Sequence, residues 1–400
     1  MHGTLIANSG ARMHFDAVIV GGGMVGAAAA LGLAQNGFQV ALVEQEAPPA
    51  FDAESPPDLR LSAIGYASVA LLRQLGAWAN VEQMRSAPYR RLETWEWDSA
   101  RVAFDASELN LPELGYMVEN RVLQLALWQS LEKTQGVTFL CPRHLKQLDY
   151  DAPVWRLTLD DDAVVETTLV VGADGAQSRV RQWAGIGVSG WQYRQSCMLI
   201  SVRAEGAQQD VTWQQFTPDG PRAFLPLFDQ WGSLVWYDSP QRIRQLQSLS
   251  MAQLDDAIAE TFPARTGRVN AVAAGAFPLI RRHAQRYVAP GLALLGDAAH
   301  TINPLAGQGV NLGYRDVAAL LAVVSQARDR GECWYEASVL QRYQQQRRTD
   351  NLLMQSGMDL FYGAFSNRLA PLTLARNVAL MVAQRAGKLK QQALKYALGL

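Results

Sequence analysis

The chain has 400 residues, of which 49% are apolar and 18% are charged, and its formal net charge is −1. This length predicts two or three domains with enough chain to bury a sizeable core. The composition excludes a disordered chain, a collagen-like chain and a disulfide scaffold. Because a nucleic-acid binder carries a basic excess over a whole domain, the balanced charge also argues against nucleic acid as a partner.

Near the N-terminus, residues 17–43 carry no charge and are long enough to span a membrane. Six glycines and three polar amides interrupt this stretch, and its hydrophobic period changes along it. We therefore predict a strand, a turn, a helix and a second strand. No secretory signal precedes the stretch. The three cysteines are widely spaced, so we expect neither a disulfide framework nor a metal site, and a cytoplasmic location.

The same stretch predicts a dinucleotide-binding unit. Residues 15–20 form an apolar, β-branched run that is typical of a buried parallel strand. The pattern Gly-x-Gly-x-x-Gly follows at Gly21, Gly23 and Gly26, where these glycines permit a tight turn, close approach to a pyrophosphate and close helix packing. Glu44 lies 18 residues after Gly26, where a carboxylate accepts hydrogen bonds from ribose hydroxyls. An acid there favours FAD or NAD over NADP.

Two later motifs also join a strand to a loop. A short apolar strand runs into Asp174, which a glycine and a basic turn headed by serine follow. A plain β-turn with a helix N-cap explains that motif equally well. A second strand, at residues 292–295, runs into Gly296 and Asp297 and then into a glycine-rich helix start at residues 307–309. Ordinary loops need no such density of glycines beside a carboxylate, so we expect this turn to face a ligand.

In this order and spacing, the three motifs resemble those of the FAD-dependent aromatic hydroxylases with the para-hydroxybenzoate hydroxylase fold, over essentially the whole chain. The resemblance implies an α/β Rossmann-like FAD-binding domain, a smaller antiparallel-sheet substrate domain and a C-terminal helical segment. It also implies FAD as the cofactor and NAD(P)H as a transient reductant. The residues that it assigns to the cofactor are Gly21, Gly23, Met24, Gly26, Glu44, Arg60, Asn120, Asp174, Gly296, Asp297, Gly307, Gln308, Gly309 and Asn311. Asn120 departs from the family pattern, in which many relatives carry arginine.

Within that family, the chain is most similar to the ubiquinone-biosynthesis hydroxylases, and in particular to the branch that hydroxylates demethoxyubiquinol. Residues 304–313 match the signature of these hydroxylases, and Asn303 supports the branch because sister hydroxylases usually carry histidine there. The resemblance implies hydroxylation of a polyprenyl hydroquinone with O₂ through a flavin C4a-hydroperoxide. The cofactor carries the difficult step, so no protein nucleophile is required. Asn303 and Pro304 are expected beside the reactive flavin edge, although a helix cap or turn explains Asn303 equally well.

The middle of the chain alternates between β-branched or aromatic and polar residues, which predicts an antiparallel sheet with a substrate pocket between it and the flavin. Five aromatic residues could line that pocket, although we expect most of them to fill the core of the sheet: Trp213, Phe216, Phe224, Trp236 and Tyr237. We expect a discontinuous FAD-binding domain at 13–80, 116–190 and 276–345, a substrate domain at 81–115 and 191–275, and a helical segment at 346–400.

The last forty residues contain six basic residues and no acidic one. Leu374, Val378, Met381 and Val382 recur at helical spacing. Two interpretations stay open for residues 361–400. They contact an anionic membrane surface or other ubiquinone-biosynthesis proteins, or they form a helical cap packed on the FAD-binding domain. Membrane contact would place a cytoplasmic protein peripherally on the inner face of the membrane.

Other functions also remain compatible with the sequence. A sister hydroxylase of the same pathway would act at another ring carbon, and a phenol hydroxylase would take a soluble substrate. A non-catalytic escort of prenylated partners would use the same fold without flavin. The retained Gly-Asp motif and its glycine-rich helix start argue against the loss of flavin.

Overall fold

The structure is a computed structural model that describes residues 12–206, 208–302, 309–366 and 369–398. Its strands, in chain order, are β1 (Met13–Val20), β2 (Val40–Val43), β3 (Leu61–Gly65), β4 (Ala87–Tyr89), β5 (Arg91–Trp95), β6 (Val102–Asp105), β7 (Gly115–Glu119), β8 (Val137–Leu140), β9 (Leu145–Asp151), β10 (Val154–Leu159), β11 (Val164–Gly172), β12 (Val188–Ala204), β13 (Val211–Gln215), β14 (Arg222–Pro226), β15 (Trp231–Asp238), β16 (Val269–Ala284), β17 (Val288–Ala289), β18 (Leu292–Leu294) and β19 (His300–Thr301).

Eleven α-helices lie within the described ranges. They are α1 (Met24–Gln35), α2 (Tyr66–Gln74), α3 (Trp78–Met84), α4 (Asn120–Leu131), α5 (Arg179–Trp183), α6 (Pro240–Gln247), α7 (Met251–Thr261), α8 (Gly309–Asp329), α9 (Ala337–Phe365), α10 (Ala370–Gln384) and α11 (Lys388–Leu398). In the part of the chain that the structure describes, no helix is both long and apolar enough to cross a membrane.

The first sheet carries the nucleotide-binding unit. Its strands lie in the order β17, β18, β11, β1, β2, β8, with β9 and β10 paired beyond β11. β18, β11, β1, β2 and β8 run parallel to one another. These strands are nearly continuous apolar runs because helices cover both faces of such a sheet. β1, α1 and β2 confirm the predicted strand, turn, helix and strand in the uncharged stretch.

The second sheet has the order β19, β16, β12, β15, β14, β13, β5, β6. Its neighbouring strands are antiparallel except for the parallel pair of β13 and β5, so the predicted antiparallel sheet is confirmed with one exception. Successive side chains of a strand point to opposite faces. One face packs against α6 and α7 through buried residues such as Ile200 and Leu234, and the neighbouring residues of those strands face a cavity.

The two sheets meet where the long strands β12 and β16 end. These strands pair from Val188 and Ala284 at one end to Ala204 and Val269 at the other. The boundaries expected at 190 and 275 therefore fall inside these two strands. The Ala284 amide donates to the carbonyl oxygen of Ala299 at 2.7 Å, which fixes this end beside the Gly-Asp motif.

The C-terminal helices pack on the second sheet. α10 contacts β6 and α9, and the guanidinium of Arg376 pairs with the carboxylate of Glu96, just after β5. Further along, Lys390 of α11 donates to Glu108 at 2.9 Å. The sequence left membrane contact and packing on the FAD-binding domain open, and the observed neighbours of α10 belong mainly to the substrate side.

Candidate functional site

The glycine motif forms a tight connection between β1 and α1. Gly21 has a φ of +102°, and a Cβ atom there would lie 2.4 Å from the carbonyl oxygen of Ala173. A Cβ atom on Gly26 would lie 1.8 Å from the carbonyl oxygen of Gly21. Gly23 has open space around it and precedes Met24, the half-buried first residue of α1. Each glycine therefore sits where the sequence predicts its role: turn, open approach and close packing.

The end of β2 places Glu44 beside this loop. Its carboxylate accepts hydrogen bonds from the backbone amides of Gly22 at 2.5 Å and Gln45 at 2.7 Å. From the other side, Trp128 Nε1 and Gln124 Nε2 donate to the carbonyl oxygen of Gly22 at 2.8 and 2.9 Å. These two contacts from α4 hold the loop in place. Sequence reasoning missed them because the two donors lie about a hundred residues beyond the motif.

Asp174 follows β11 and lies across from the glycine loop. Its Oδ2 accepts from the amides of Arg179 and Val180 at the start of α5, at 2.8 and 3.1 Å. Its Oδ1 is buried and has no hydrogen-bond partner among the described residues. Burial raises the pKa of this carboxyl group above its usual range, although the hydrogen bonds from α5 oppose the rise.

The glycine loop, Glu44 and Asp174 line one cavity of about 450 Å³. Arg143, His144 and Arg179 also line it, and the sequence analysis did not single them out. An open glycine, a helix N-terminus, an acid after the second strand and an unsatisfied buried carboxylate oxygen together suit the pyrophosphate and ribose of a dinucleotide. The residues present therefore fit the adenosine end of FAD.

The Gly-Asp motif lies at the end of β18. Gly296 has a φ of +57°, and its amide donates to the buried Asp316 Oδ2 at 3.1 Å. Asp297 is accessible to solvent, but protein lies densely enough around its carboxyl group to desolvate it in part, which raises its pKa. His300 and Arg60 act electrostatically on that carboxyl group and oppose the rise. Arg60 therefore lies within electrostatic reach of Asp297, although the two residues are distant in sequence.

Arg60 and Asn120 lie together at the edge of a second, larger cavity. The Asn120 amide donates to the carbonyl oxygen of Arg60 at 3.0 Å, and Asn120 Oδ1 accepts from Ser62 Oγ at 2.7 Å. The guanidinium of Arg60 stacks 4.6 Å from the centroid of the Phe277 ring. All of these residues except Ser62 line the larger cavity.

Two further predicted site residues, Gly309 and Asn311, lie at the start of α8. Gly309 is the first residue of this helix. The side chain of Asn311 is buried, accepts from Gly65 N and Ser68 Oγ at 3.0 and 2.7 Å, and donates to the Ala63 oxygen at 2.7 Å. It therefore connects α8 to β3 and α2. Four predicted residues lie outside the described part of the chain: Asn303, Pro304, Gly307 and Gln308.

The larger cavity has a volume of about 750 Å³ and lies between the second sheet and α9. Its lining is mostly apolar. The sheet contributes Leu199, Val235 and Leu279, and α9 contributes Met354 and Met358. A cavity of this volume with mostly apolar walls can enclose a drug-sized apolar ligand such as a substituted aromatic ring. The sequence did not predict that α9, and Tyr396 of α11, form part of its wall.

The five aromatic candidates are all buried, and three of them also reach the larger cavity: Trp213, Phe216 and Tyr237. Trp213 belongs at the same time to the buried cluster of Phe224 and Trp236 that packs on α6 and α7. Filling the core and lining the cavity therefore do not exclude each other. Along β15, the adjacent Trp236 and Tyr237 point to opposite faces, and this alternation is visible in the sequence.

Comparison with known proteins agrees with this geometry. Residues 14–350 match the family model described as FAD binding domain. The chain is 64% identical to the 3-demethoxyubiquinol 3-hydroxylase of Escherichia coli (strain K12) over 96% of this chain and 98% of that protein. It is 33% identical to the mitochondrial ubiquinone biosynthesis monooxygenase COQ6 of Mus musculus, over 98% of this chain and 92% of that protein.

Solved structures show the same fold. The p-nitrophenol 4-monooxygenase PnpA of Pseudomonas putida DLL-E4 superposes with a TM-score of 0.78 at 18% identity, covering 97% of this chain and 99% of that one. A single-residue variant of Klebsiella pneumoniae HpxO, complexed with FAD, gives 0.73 at 18% identity, covering 96% and 98%. The chain therefore belongs to the FAD-binding flavin monooxygenases, in the family that includes the ubiquinone-biosynthesis hydroxylases.

Proposed function

We propose that this protein hydroxylates the aromatic ring of demethoxyubiquinol, a polyprenyl hydroquinone of ubiquinone biosynthesis, with O₂ as the oxygen source. The observation that carries the proposal is the large apolar cavity, whose edge residue Arg60 also acts electrostatically on Asp297 of the Gly-Asp motif. A ring in that cavity would lie next to the flavin end of a bound FAD. The 64% identical relative supports the choice of substrate.

Two groups of residues would hold FAD. The glycine loop, Glu44 and Asp174 suit its adenosine and pyrophosphate end, and Asp297 with Arg60 suits the ribityl and flavin end. Gly309 and Asn311 at the start of α8, together with Asn303, Pro304, Gly307 and Gln308, remain proposed contacts near the reactive edge. When bound, the flavin supplies the activation of O₂ for attack on an electron-rich ring.

The protein orients the ring and excludes water. The apolar cavity wall removes solvent from the reacting centre, which protects reactive species from side reactions. Burial raises the pKa of the Tyr89 phenol, so it stays protonated and can donate a hydrogen bond to a substrate oxygen. Burial likewise raises the pKa of Cys197 to about 12, so this thiol is not a nucleophile at neutral pH.

Glu93 is the acidic side chain in the cavity wall, and it is not suited to deliver a proton. Desolvation favours its neutral form, but the guanidinium groups of Arg265, Arg91 and Arg101 outweigh that effect and lower the pKa. Arg91 Nε lies 2.8 Å from Glu93 Oε1. The carboxylate therefore stays ionised and paired. A hydroquinone is activated by its own hydroxyl groups, so the reaction needs no stronger base from the protein.

The proposed reductant is NAD(P)H, which binds transiently, because only one Gly-x-Gly-x-x-Gly pattern of the sequence joins a strand to a helix, and Glu44 belongs to that unit. A second match, at Gly185, Gly187 and Gly190, runs into the antiparallel strand β12 and is not a dinucleotide-binding turn. The proposed location is cytoplasmic, with peripheral contact at the inner face of the membrane. Residues 361–400 are the proposed contact with that surface or with other ubiquinone-biosynthesis proteins that deliver the lipid-tailed substrate.

The test uses the purified, FAD-loaded full chain with demethoxyubiquinol in detergent, NADH or NADPH, and ¹⁸O₂. We expect a yellow protein and a product that carries one ¹⁸O atom in a new ring hydroxyl. A colourless protein that cannot be loaded with FAD would contradict the proposal and favour an escort for prenylated partners. A flavin-loaded protein that oxidises the nicotinamide but leaves the ring intact would contradict the proposed substrate.

A further inference from the structure

An ordinary surface helix turns its apolar face to the core and its polar face to solvent. In α10 the two faces are reversed. Its charged Arg376 and polar Asn377 are buried. On the opposite side, Leu374, Val378 and Val382 are 55%, 44% and 63% exposed. The helical stripe that the sequence predicts is therefore present, and it faces outward.

Polar contacts fix this orientation. Arg376 Nε and Asn377 Nδ2 both donate to Glu96 Oε2, at 2.7 and 2.6 Å. Asn377 Oδ1 accepts from the amide of Trp97 at 3.1 Å, and Gln384 Oε1 accepts from the amide of Ala103 at 2.9 Å. Turning the apolar stripe inward would leave the buried Arg376, Asn377 and Glu96 without partners, which is costly. The outward apolar stripe is therefore built into the fold.

The exposed apolar surface extends beyond α10. Of the eighteen large apolar side chains that are exposed in the described chain, eleven lie between Leu353 and Tyr396. Such a concentration marks an interaction surface rather than scattered exposure. We call the following residues the outer apolar face: Leu360, Leu369, Leu372, Leu374, Val378, Met381, Val382 and Leu389.

The charge around the outer apolar face is positive. Arg385, Lys388 and Lys395 are exposed beside it, and residues 361–400 contain no acidic residue. The inward cations are already paired, Arg376 with Glu96 and Lys390 with Glu108. An apolar face flanked by exposed cations suits the surface of a bilayer that contains anionic lipids.

The outer apolar face adjoins the opening of the larger cavity. Leu353 and Phe361 of α9 and Tyr396 of α11 line that cavity and are also exposed to solvent. The cavity is the size of a pocket that encloses a drug-sized ligand. If the substrate is a polyprenyl hydroquinone, as the proposed function holds, its ring fills the cavity and its tail must leave through this opening.

We propose that the outer apolar face lies on an anionic bilayer, and that the opening bordered by Leu353, Phe361 and Tyr396 takes the lipid tail directly from that bilayer. Docking on the bilayer follows from the exposed side chains and charges alone. The passage of the tail rests on the proposed function.

Docking is tested with the FAD-loaded full chain and sedimented vesicles. One vesicle population contains phosphatidylcholine alone, and the other contains phosphatidylcholine and phosphatidylglycerol in equal parts. We expect sedimentation with the anionic vesicles and its loss in the triple variant Leu374→Gln, Val378→Gln, Val382→Gln. The triple variant Arg385→Gln, Lys388→Gln, Lys395→Gln should bind more weakly, and added salt should reproduce its defect. The matched control Met251→Gln removes an equally exposed apolar side chain from α7 and should bind like the wild type.

Comparing a water-soluble substrate with a membrane-bound one distinguishes a defect in membrane docking from a defect in the hydroxylation step. The apolar-face variant should hydroxylate a water-soluble short-chain hydroquinone at the wild-type rate and should lose turnover of the polyprenyl substrate in anionic vesicles. If neither protein hydroxylates the short-chain substrate, the proposed function fails while docking is still decided by sedimentation. The docking proposal is overturned if the wild type stays in the supernatant, or if the apolar-face variant sediments like the wild type. It is also overturned if size-exclusion chromatography shows that this variant instead converts a dimer into a monomer.

Discussion

His300 Nε2 and Asp316 Oδ2 lie 2.5 Å apart, and both side chains are fully buried. Asp316 also accepts from Arg347 Nε at 2.9 Å and from the amide of Gly296 at 3.1 Å. Desolvation favours the neutral carboxyl, but His300 and Arg347 outweigh it and lower the pKa of Asp316. One buried carboxylate therefore joins α8, α9 and the Gly-Asp motif, and it positions the turn that presents Asp297.

Asp316→Asn should destabilise the protein strongly, because it removes the fully buried carboxylate that pairs with both His300 and Arg347, and Asp350 contacts only Arg347 of these two. Breaking a buried ion pair in this way costs about 3–5 kcal/mol. Urea unfolding of the FAD-free protein measures the effect. The matched control is Glu332→Gln, which removes a half-buried surface carboxylate from Arg342 and should change the free energy of unfolding by at most about 1 kcal/mol. Equal effects of the two changes would contradict the assigned role of Asp316.

His283 should make the protein less stable in mild acid. Its ring is buried between Gln355, whose Oε1 lies 2.7 Å from Nδ1, and Tyr287. Burial lowers its pKa to about 4, and His300, Arg348 and Arg281 add to this effect, whereas the contact with Gln355 opposes it. The unfolded chain then binds more protons than the native protein between about pH 6.5 and 4. Stability is therefore fully present above about pH 6.5 and falls as the pH approaches 4, by up to about 3 kcal/mol.

The measurement is the free energy of unfolding of the wild type and of His283→Gln at several pH values. The difference between the two proteins should be constant above neutral pH and should shift in favour of the variant below about pH 6.5. Subtraction removes the contributions of the carboxyl groups, which both proteins share. A difference that does not change with pH would show that the pKa of His283 is the same in the native and the unfolded protein, which would contradict the effect of its burial.

Two glycines of the motif should have different roles, since Gly26 is needed for folding and Gly23 for FAD binding. Gly26→Ala places a carbon against the carbonyl oxygen of Gly21 and should destabilise the FAD-free protein by about 1–3 kcal/mol. Gly23→Ala meets open space, so it should leave that stability nearly unchanged while weakening FAD binding, since its new methyl group points into the space proposed for the pyrophosphate. Urea unfolding and a fluorescence titration with FAD measure the two quantities. A Gly23→Ala variant with wild-type affinity would contradict the proposed pyrophosphate contact.

A larger side chain in the wall of the larger cavity should slow hydroxylation strongly and leave FAD bound. Ala223 of β14 lines the cavity wall, and Ala223→Phe should displace the ring from its productive position. A misplaced substrate loses roughly 100-fold in rate, so we expect hydroxylation to fall by about that factor while the flavin spectrum stays unchanged. Ala252→Phe, at an exposed position of α7, is the control. Unchanged hydroxylation in Ala223→Phe would place the substrate elsewhere.

Local signals in the sequence predicted the parts of the fold that local contacts determine. β1, α1 and β2 follow from one apolar run, one glycine motif and one acid within thirty residues. The position of Arg60 beside Asn120, and the electrostatic influence of Arg60 on Asp297, depend on how distant segments are brought together. For these residues, only the resemblance to a family placed them at one site.

The orientation of α10 shows what the sequence pattern leaves undetermined. The spacing of Leu374 and Val378 predicted an amphipathic helix, but a helical period does not state which face turns to the core. That choice depends on Glu96, which lies 280 residues from its partner Arg376. The catalytic prediction at Asn303 and Pro304 stays a prediction.

The most direct test of the proposed function is the quinone profile of cells that lack this protein, measured by mass spectrometry and compared with cells that express it again from a plasmid. We predict that the deficient cells accumulate demethoxyubiquinone, and that expression of the protein restores ubiquinone. Accumulation of a different ring-deficient intermediate would contradict the account and assign the protein to a sister hydroxylation step.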